Sequence, residues 1–198
     1  MSSPAKWQKW RLLRCASDKN HTKITKTPIL FTELGFCSSA EVFKLEKITG
    51  KLLIEKNFTI SCAESCTGGL LTSTLTDAAG SSNYVKGAIV SYTNEIKNSI
   101  LKVKAETLEK FSAVSEETAR EMAENVREIF KTDIGVGITG YAGPGGGTKN
   151  NPVGTVYISF AEKNFVEVKK FQFSGSRTEI KSQAVQSTLK IIQDNLLK

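Results

Sequence analysis

From about residue 39 the apolar positions become regular. Val42, Leu45, Ile48 and Leu52 recur at helical spacing and predict a first helix, which Gly50 weakens only modestly. Phe58-Thr59-Ile60-Ser61-Cys62 reads as a short buried strand, and Gly68 to Ala78 as a helix packed closely through small residues. Gly87 to Tyr92 reads as a second strand, after which Asn94 can cap a helix running through Lys97 and Ile100. Ser115 is the next cap, with Glu116 and Glu117 in the first turn, where the helix dipole favours negative charge. Ala119, Met122, Ala123, Val126, Ile129 and Phe130 then make one apolar face. Asp133 to Thr139 is a third strand, followed by a glycine-rich loop from Gly140 to Gly154. Residues 155–160 and 165–173 form a hairpin turning at Lys163-Asn164, and Ser176 with Glu179 makes a capping box for a closing helix lined by Ile180, Ala184, Leu189, Ile192 and Leu196. Strands alternating with helices, then a hairpin and a last helix, predict an α/β fold: a three-layer α/β/α domain over residues 39–198 with a mixed sheet. Residues 1–38 show no sustained period and read as a flexible basic extension.

Charge sharpens that division. The chain carries a net charge of +7, but the first 30 residues hold seven basic side chains and one acid, so the remainder is close to neutral. A domain-wide basic footprint is missing, and no nucleic acid is expected as a partner of the domain. No run of about 18 apolar residues exists, so no membrane span is expected. A cytoplasmic protein is the default, although the basic, hydroxyl-bearing, acid-poor extension also suits organelle targeting. Cys15, Cys37, Cys62 and Cys66 fit neither a disulfide framework nor a zinc spacing. The single histidine, His21, lies in the extension. A Ser-His-Asp triad within the domain is therefore excluded, and any nucleophile needs a base other than imidazole.

Four constellations could carry chemistry. Ala63-Glu64-Ser65-Cys66-Thr67-Gly68-Gly69 falls where a strand turns into a helix, a place that offers backbone N–H groups to an anion or a developing oxyanion. Ser65 is the candidate nucleophile and Cys66 its rival; alternatively Ser65 and Thr67 only cap the helix. In the second, Tyr92 ends a strand and Lys97 lies just inside the next helix. A lysine in a partly dry pocket has a lowered pKa and can deprotonate a serine; a solvated lysine is the plainer alternative. The third, Thr139 and Gly140 through Gly143, Gly146, Gly147 and Thr148 to Thr155, can form an anion nest but lacks the ending of a Walker A loop. In the fourth, Ser174-Gly175-Ser176-Arg177, the Arg177 fork could clamp a phosphate or simply be solvated.

Together these segments resemble the CinA C-terminal domain family, the nicotinamide-nucleotide amidohydrolases. The matching residues are the 63–69 motif, Tyr92 and Asn94 with Lys97, Ala113-Val114-Ser115, Gly140 with Ala142-Gly143-Pro144, Gly146-Gly147-Thr148 and Pro152 to Val156, and coverage runs from about residue 42 to the C-terminus. The resemblance implies hydrolysis of nicotinamide mononucleotide to nicotinate mononucleotide and ammonia, with Ser65 as nucleophile, Lys97 as base and Tyr92 as an assisting hydroxyl. It implies a small-molecule nucleotide as partner, homo-oligomers, and neither metal nor organic cofactor. Cys66, Thr67, Gly68, Thr139, Gly140, Gly143, Gly146, Gly147, Thr148 and Arg177 are the expected substrate-binding set. Larger members carry a further N-terminal domain; with its short basic extension this chain looks like the stand-alone amidases. The alternative is a catalytically silent nucleotide-binding or competence-associated regulatory module.

Overall fold

The structure is a computed structural model that describes residues 39–198, with side chains from Leu45 onward; the basic extension, with Trp7, Trp10 and Phe31, lies outside the described residues. The elements run α1 (Ser39–Glu55), β1 (Ile60–Glu64), α2 (Leu70–Thr76), a 3-10 turn (Ser81–Asn83), β2 (Val85–Val90), α3 (Asn94–Ser99), α4 (Ala105–Phe111), α5 (Glu116–Phe130), β3 (Ile134–Gly140), β4 (Thr155–Glu162), β5 (Phe165–Gln172) and α6 (Arg177–Leu196). They build one mixed five-stranded sheet in the order β2-β1-β3-β4-β5. β1 is parallel to both β2 and β3, and β4 and β5 then run antiparallel as a hairpin.

Strand alternation sorts the core into two layers. Ile60 and Cys62 of β1 and Ile134, Val136 and Ile138 of β3 pack with Leu53, Leu71, Leu75, Ile180 and Leu189 from α1, α2 and α6. Ala63 faces the other way, into a smaller cluster with Leu101, Val103, Met122 and Val126. On that side α5 lies directly on the β3 backbone, because β3 presents glycine there: a Cβ on Gly137 would sit 2.5 Å from the Ala119 carbonyl. This close seat brings Ser115, the cap of α5, toward the sheet's C-terminal edge, where β1, β2 and β3 all end.

The α/β architecture, the hairpin and the closing helix are as expected, and Ser115 and the Ser176/Glu179 box cap α5 and α6. Several local expectations need correction. β1 starts at Ile60 rather than Phe58, because the Thr59 N–H and hydroxyl both donate to the Asp133 carboxylate, at 2.8 and 2.7 Å. It ends at Glu64 because that side chain is buried in the next helix's start. Thr93, not Asn94, caps α3, its hydroxyl accepting from the Ile96 N–H. α3 also stops earlier than the apolar spacing suggests: Val103 N–H returns to the Lys97 carbonyl at 2.9 Å, and a separate α4 follows. Ile48 and Ile129 are more than a third exposed, since their helices turn Thr49 and Val126 inward instead.

Candidate active site

Ser65 follows β1 without a break. Its N–H still donates to the Ile138 carbonyl of β3 at 3.0 Å, so the sheet itself fixes the residue's position. The chain then turns through Gly68 and Gly69, both at positive φ, and Gly69 stands at the N-cap of α2 with φ 96°. That conformation suits glycine because it carries no Cβ.

Glu64 holds this turn in shape. Fully buried, its carboxylate accepts from Gly69 N–H (3.0 Å), Leu71 N–H (3.1 Å), Thr72 N–H (2.9 Å) and the Thr72 hydroxyl (2.7 Å). A charge that accepts four donors is compensated where it stands, and it satisfies amides that a helix start leaves unpaired. The sequence suggested that these amides would be free for a phosphate or oxyanion. The protein's own carboxylate takes them instead. Gly68 N–H returns to the Ser65 carbonyl at 3.1 Å, and Leu70 N–H to Thr67 at 3.4 Å. The Cys66 and Thr67 amides are the two that remain outside this set.

Lys97 reaches Ser65 from the neighbouring strand's end. It sits in the last turn of the short α3, is 1 % exposed, and donates from Nζ to the Ser91 carbonyl at 2.6 Å and to Ser65 Oγ at 3.0 Å. Burial disfavours its charged form and lowers its pKa from 10.5 to about 8, a shift that the nearby Cys66 opposes. No carboxylate among the described residues forms an ion pair with it. Cys66, buried beside the turn, has its thiol pushed up to about 12, again by burial. Such a thiol offers almost no thiolate at neutral pH.

A cavity of about 220 Å³ opens over this pair. Of the predicted residues, Ser65, Cys66, Tyr92, Lys97, Thr139, Gly140, Gly143 and Arg177 line it. Thr67, Gly68, Gly146, Gly147 and Thr148 do not. Thr67 is buried with its hydroxyl unpartnered, and Thr148 Oγ1 accepts from Asn151 N–H within the loop. The Thr139 hydroxyl is spent on the Ala113 carbonyl at 2.6 Å, which ties the α4–α5 connection to β3. Arg177 donates to the Gly143 carbonyl at 2.7 Å and to the Tyr92 hydroxyl, so it draws the glycine loop and Tyr92 together over the cavity. Sequence reasoning did not assign Tyr141 to the site; an aromatic at the end of a buried strand inside the glycine motif was the available signal. Asn94, Ala113, Val114 and Ala142 also line the wall, at positions that belonged to the matching motifs but had not been assigned to the site.

Among the described residues no group of three or more His, Cys, Asp or Glu side chains could hold a metal ion, and no helix is long and apolar enough to cross a membrane. The family model of the CinA C-terminal domain matches residues 42–196. A CinA-like protein of Endomicrobium trichonymphae is 47% identical over 153 residues, covering 77% of this chain and 36% of the relative. One from Flavobacterium psychrophilum is 47% identical over 154 residues, covering 78% and 37%. The chain thus spans well under half the length of the curated relatives it matches. Among solved structures, the competence/damage inducible protein CihA from Agrobacterium tumefaciens superposes with a TM-score of 0.76 at 36% identity, covering 79% of this chain and 96% of that one. A CinA superfamily protein from Klebsiella pneumoniae gives 0.77 at 32% identity, covering 79% and 98%.

Proposed function

The chain belongs to the CinA C-terminal domain family, and on that premise we propose that it is an amidohydrolase converting nicotinamide mononucleotide to nicotinate mononucleotide and ammonia. The observation that carries this reading is the 3.0 Å contact between Ser65 Oγ and the buried Lys97 Nζ. In its neutral form the amine still donates to the Ser91 carbonyl, which leaves its lone pair directed at the Ser65 hydroxyl. The hydroxyl proton passes to Nζ as Oγ attacks the carboxamide carbon. The carbonyl oxygen takes the negative charge of the tetrahedral intermediate beside the Cys66 backbone, which lines the cavity. Collapse breaks the C–N bond, and the proton held by Lys97 leaves with ammonia. Water then attacks the acyl ester, gives its proton back to Lys97, and nicotinate mononucleotide departs as Oγ recovers its hydrogen. The Tyr92 oxygen accepts from Arg177, so its own O–H is free to donate to the substrate amide.

The cavity suits one ring and its carboxamide rather than a whole nucleotide, since pockets that enclose drug-sized ligands run to roughly 300–1,000 Å³. Ribose and phosphate would therefore lie over the rim. The test is ammonia release from nicotinamide mononucleotide by the purified chain, against a Ser65→Ala variant with a matching melt. Release by wild type alone supports the proposal. Nucleotide binding without release by either protein sinks it and favours a silent binding module.

A further inference from the structure

We propose that Lys181 is the phosphate-binding residue of this site, holding the substrate's phosphate on the rim between the Ser65–Gly68 turn and the first turns of α6. The inference rests on the nucleotide reading above and adds a group to it.

Most of the usual anion-binding elements around Ser65 already have protein partners. Glu64 takes the start of α2, as described. Arg177, the side chain that the sequence offered as a clamp, spends one terminal nitrogen on the Gly143 carbonyl and the other on the Tyr92 hydroxyl. Its place in the wall is to position that loop and that tyrosine. Lys181 lies one helical turn further on, at i+4 from Arg177, so the two cations share a face of α6. Like charges at that spacing repel unless an anion lies between or beside them. The acid nearest in sequence, Glu179, does not supply one: its carboxylate accepts the Ser176 N–H at 2.6 Å inside the capping box. Half-buried Lys181 has no hydrogen-bond or ion-pair partner among the described residues.

Its ammonium lies beside the Ser65–Gly68 turn, outside the cavity lining. A Cβ built on Gly68 would lie 3.7 Å from Lys181 Nζ, so the charge hangs over a bare stretch of backbone. Gly68 closes a turn on Ser65 through its N–H, and residues related by such a turn lie within about 7 Å of each other. A ring held at Ser65 thus places its 5′-phosphate, one ribose away, within reach of this ammonium. The bare glycine leaves the phosphate room to approach.

The experiment titrates the full chain calorimetrically with nicotinate mononucleotide and with nicotinate riboside. Both are on the product side, so neither is consumed. Lys181→Met should weaken nucleotide binding about tenfold or more and riboside binding less than twofold, and inorganic phosphate should compete with the nucleotide only in the wild type. Lys181→Arg should recover most of the nucleotide affinity. Equal losses for nucleotide and riboside, or an unchanged nucleotide affinity, would overturn the assignment. Phosphate-dependent binding that Lys181→Met removes, in a protein that releases no ammonia, would keep this subsite and sink the amidase reading.

Discussion

The loops that leave the C-terminal ends of β1 and β3 face one another across the cavity, and they are built in opposite ways. After β1, the amides of Ser65, Gly68, Gly69, Leu71 and Thr72 all have acceptors, and a fully buried carboxylate gathers three of them. After β3, residues 144–150 are exposed, and the loop is secured mainly near its ends. Tyr141 and Thr155 close its base, while Asn151 donates to the Val114 carbonyl at 3.1 Å. On the proposed function the first loop presents the nucleophile and has little room to move, whereas the second forms a wall that can yield as a ligand enters. Pre-organised donors fixed before reaction lower a barrier, whereas binding walls tolerate adjustment. The two loops should therefore respond very differently to substitution.

The largest effects belong to the β1 side. Ser65→Ala should lower kcat on the order of 10⁴-fold or more while nucleotide affinity stays within a few fold. Cys66→Ser should keep most of the activity, because a thiol pushed up to about 12 contributes little nucleophile. Ammonia release by both variants checks this; an active Ser65→Ala beside a dead Cys66→Ser would reverse the assignment. Lys97→Met should lose activity by a comparable factor, since residues acting as one unit are not additive. With Lys97 at about 8, roughly a tenth of it is free amine at pH 7 and about half at pH 8, so kcat/KM should climb through that range to a plateau.

Lys97 also links activity to stability. Its folded pKa of about 8 lies below the ordinary 10.5, so between those values the unfolded chain binds more protons than the folded one. Stability from this group therefore rises with pH through that window, and below pH 8 its burial is a full penalty. Lys97→Met should be the more stable protein at pH 7, by on the order of 2 kcal/mol, with the advantage fading toward pH 10.5. Melts of both proteins across that range measure it; a constant difference would mean that Lys97 is not the titrating group. Glu64→Ala should instead cost about 3 kcal/mol, since it leaves buried amides without acceptors, and should lower kcat through displacement of Ser65. Denaturant unfolding with ammonia release tests both halves, and an unaltered kcat would detach Glu64 from the nucleophile.

Much of this asymmetry was visible in the sequence, but not its cause. The alternation of apolar runs located every strand, because a strand buried on both faces leaves a continuous signal such as Ile134 to Thr139. The lack of a histidine in the domain brought Lys97 forward as a base for Ser65, but Cys66 and a solvated lysine stayed open, and it was the family resemblance that implied the pairing. Glu64 could not be read as a helix clamp, because its partners are backbone amides, which leave no trace in side-chain identity. The exact reach of Arg177 was equally hidden, since Gly143 and Tyr92 lie 34 and 85 residues away in the chain. Thr67, Gly68 and the outer glycines lie outside the cavity lining although their motifs flank it, because a run of glycines reports backbone freedom and not a place in the wall.

An intermediate effect is expected at the bridge between the loops. Arg177→Ala frees Tyr92 and the Gly143 carbonyl together, so KM should rise roughly three- to tenfold with a smaller fall in kcat. Steady-state kinetics decide it, and a loss confined to kcat would put Arg177 in the chemistry rather than in the wall.

The smallest effect should come from a matched pair of substitutions that isolates the difference between the loops. Gly69 has φ 96° and Gly146 φ 92°, so alanine meets nearly the same backbone strain at both, about 1–2 kcal/mol. Neither new Cβ is sterically forbidden: at Gly69 it would lie 3.7 Å from a Val90 methyl, and at Gly146 3.4 Å from the Tyr141 ring. What differs is what relaxation of that strain disturbs. The Gly69 N–H is held by Glu64, so a shift there pulls on the carboxylate and through it on the turn carrying Ser65. Gly146 lies in the exposed stretch and can relax into solvent. Gly69→Ala should thus lower kcat at least tenfold, and Gly146→Ala less than threefold, for similar shifts in Tm. Equal kinetic losses in the two variants would show that the glycine loop is as tightly coupled to the nucleophile as the turn that bears it, and the contrast between a fixed platform and a yielding wall would fail.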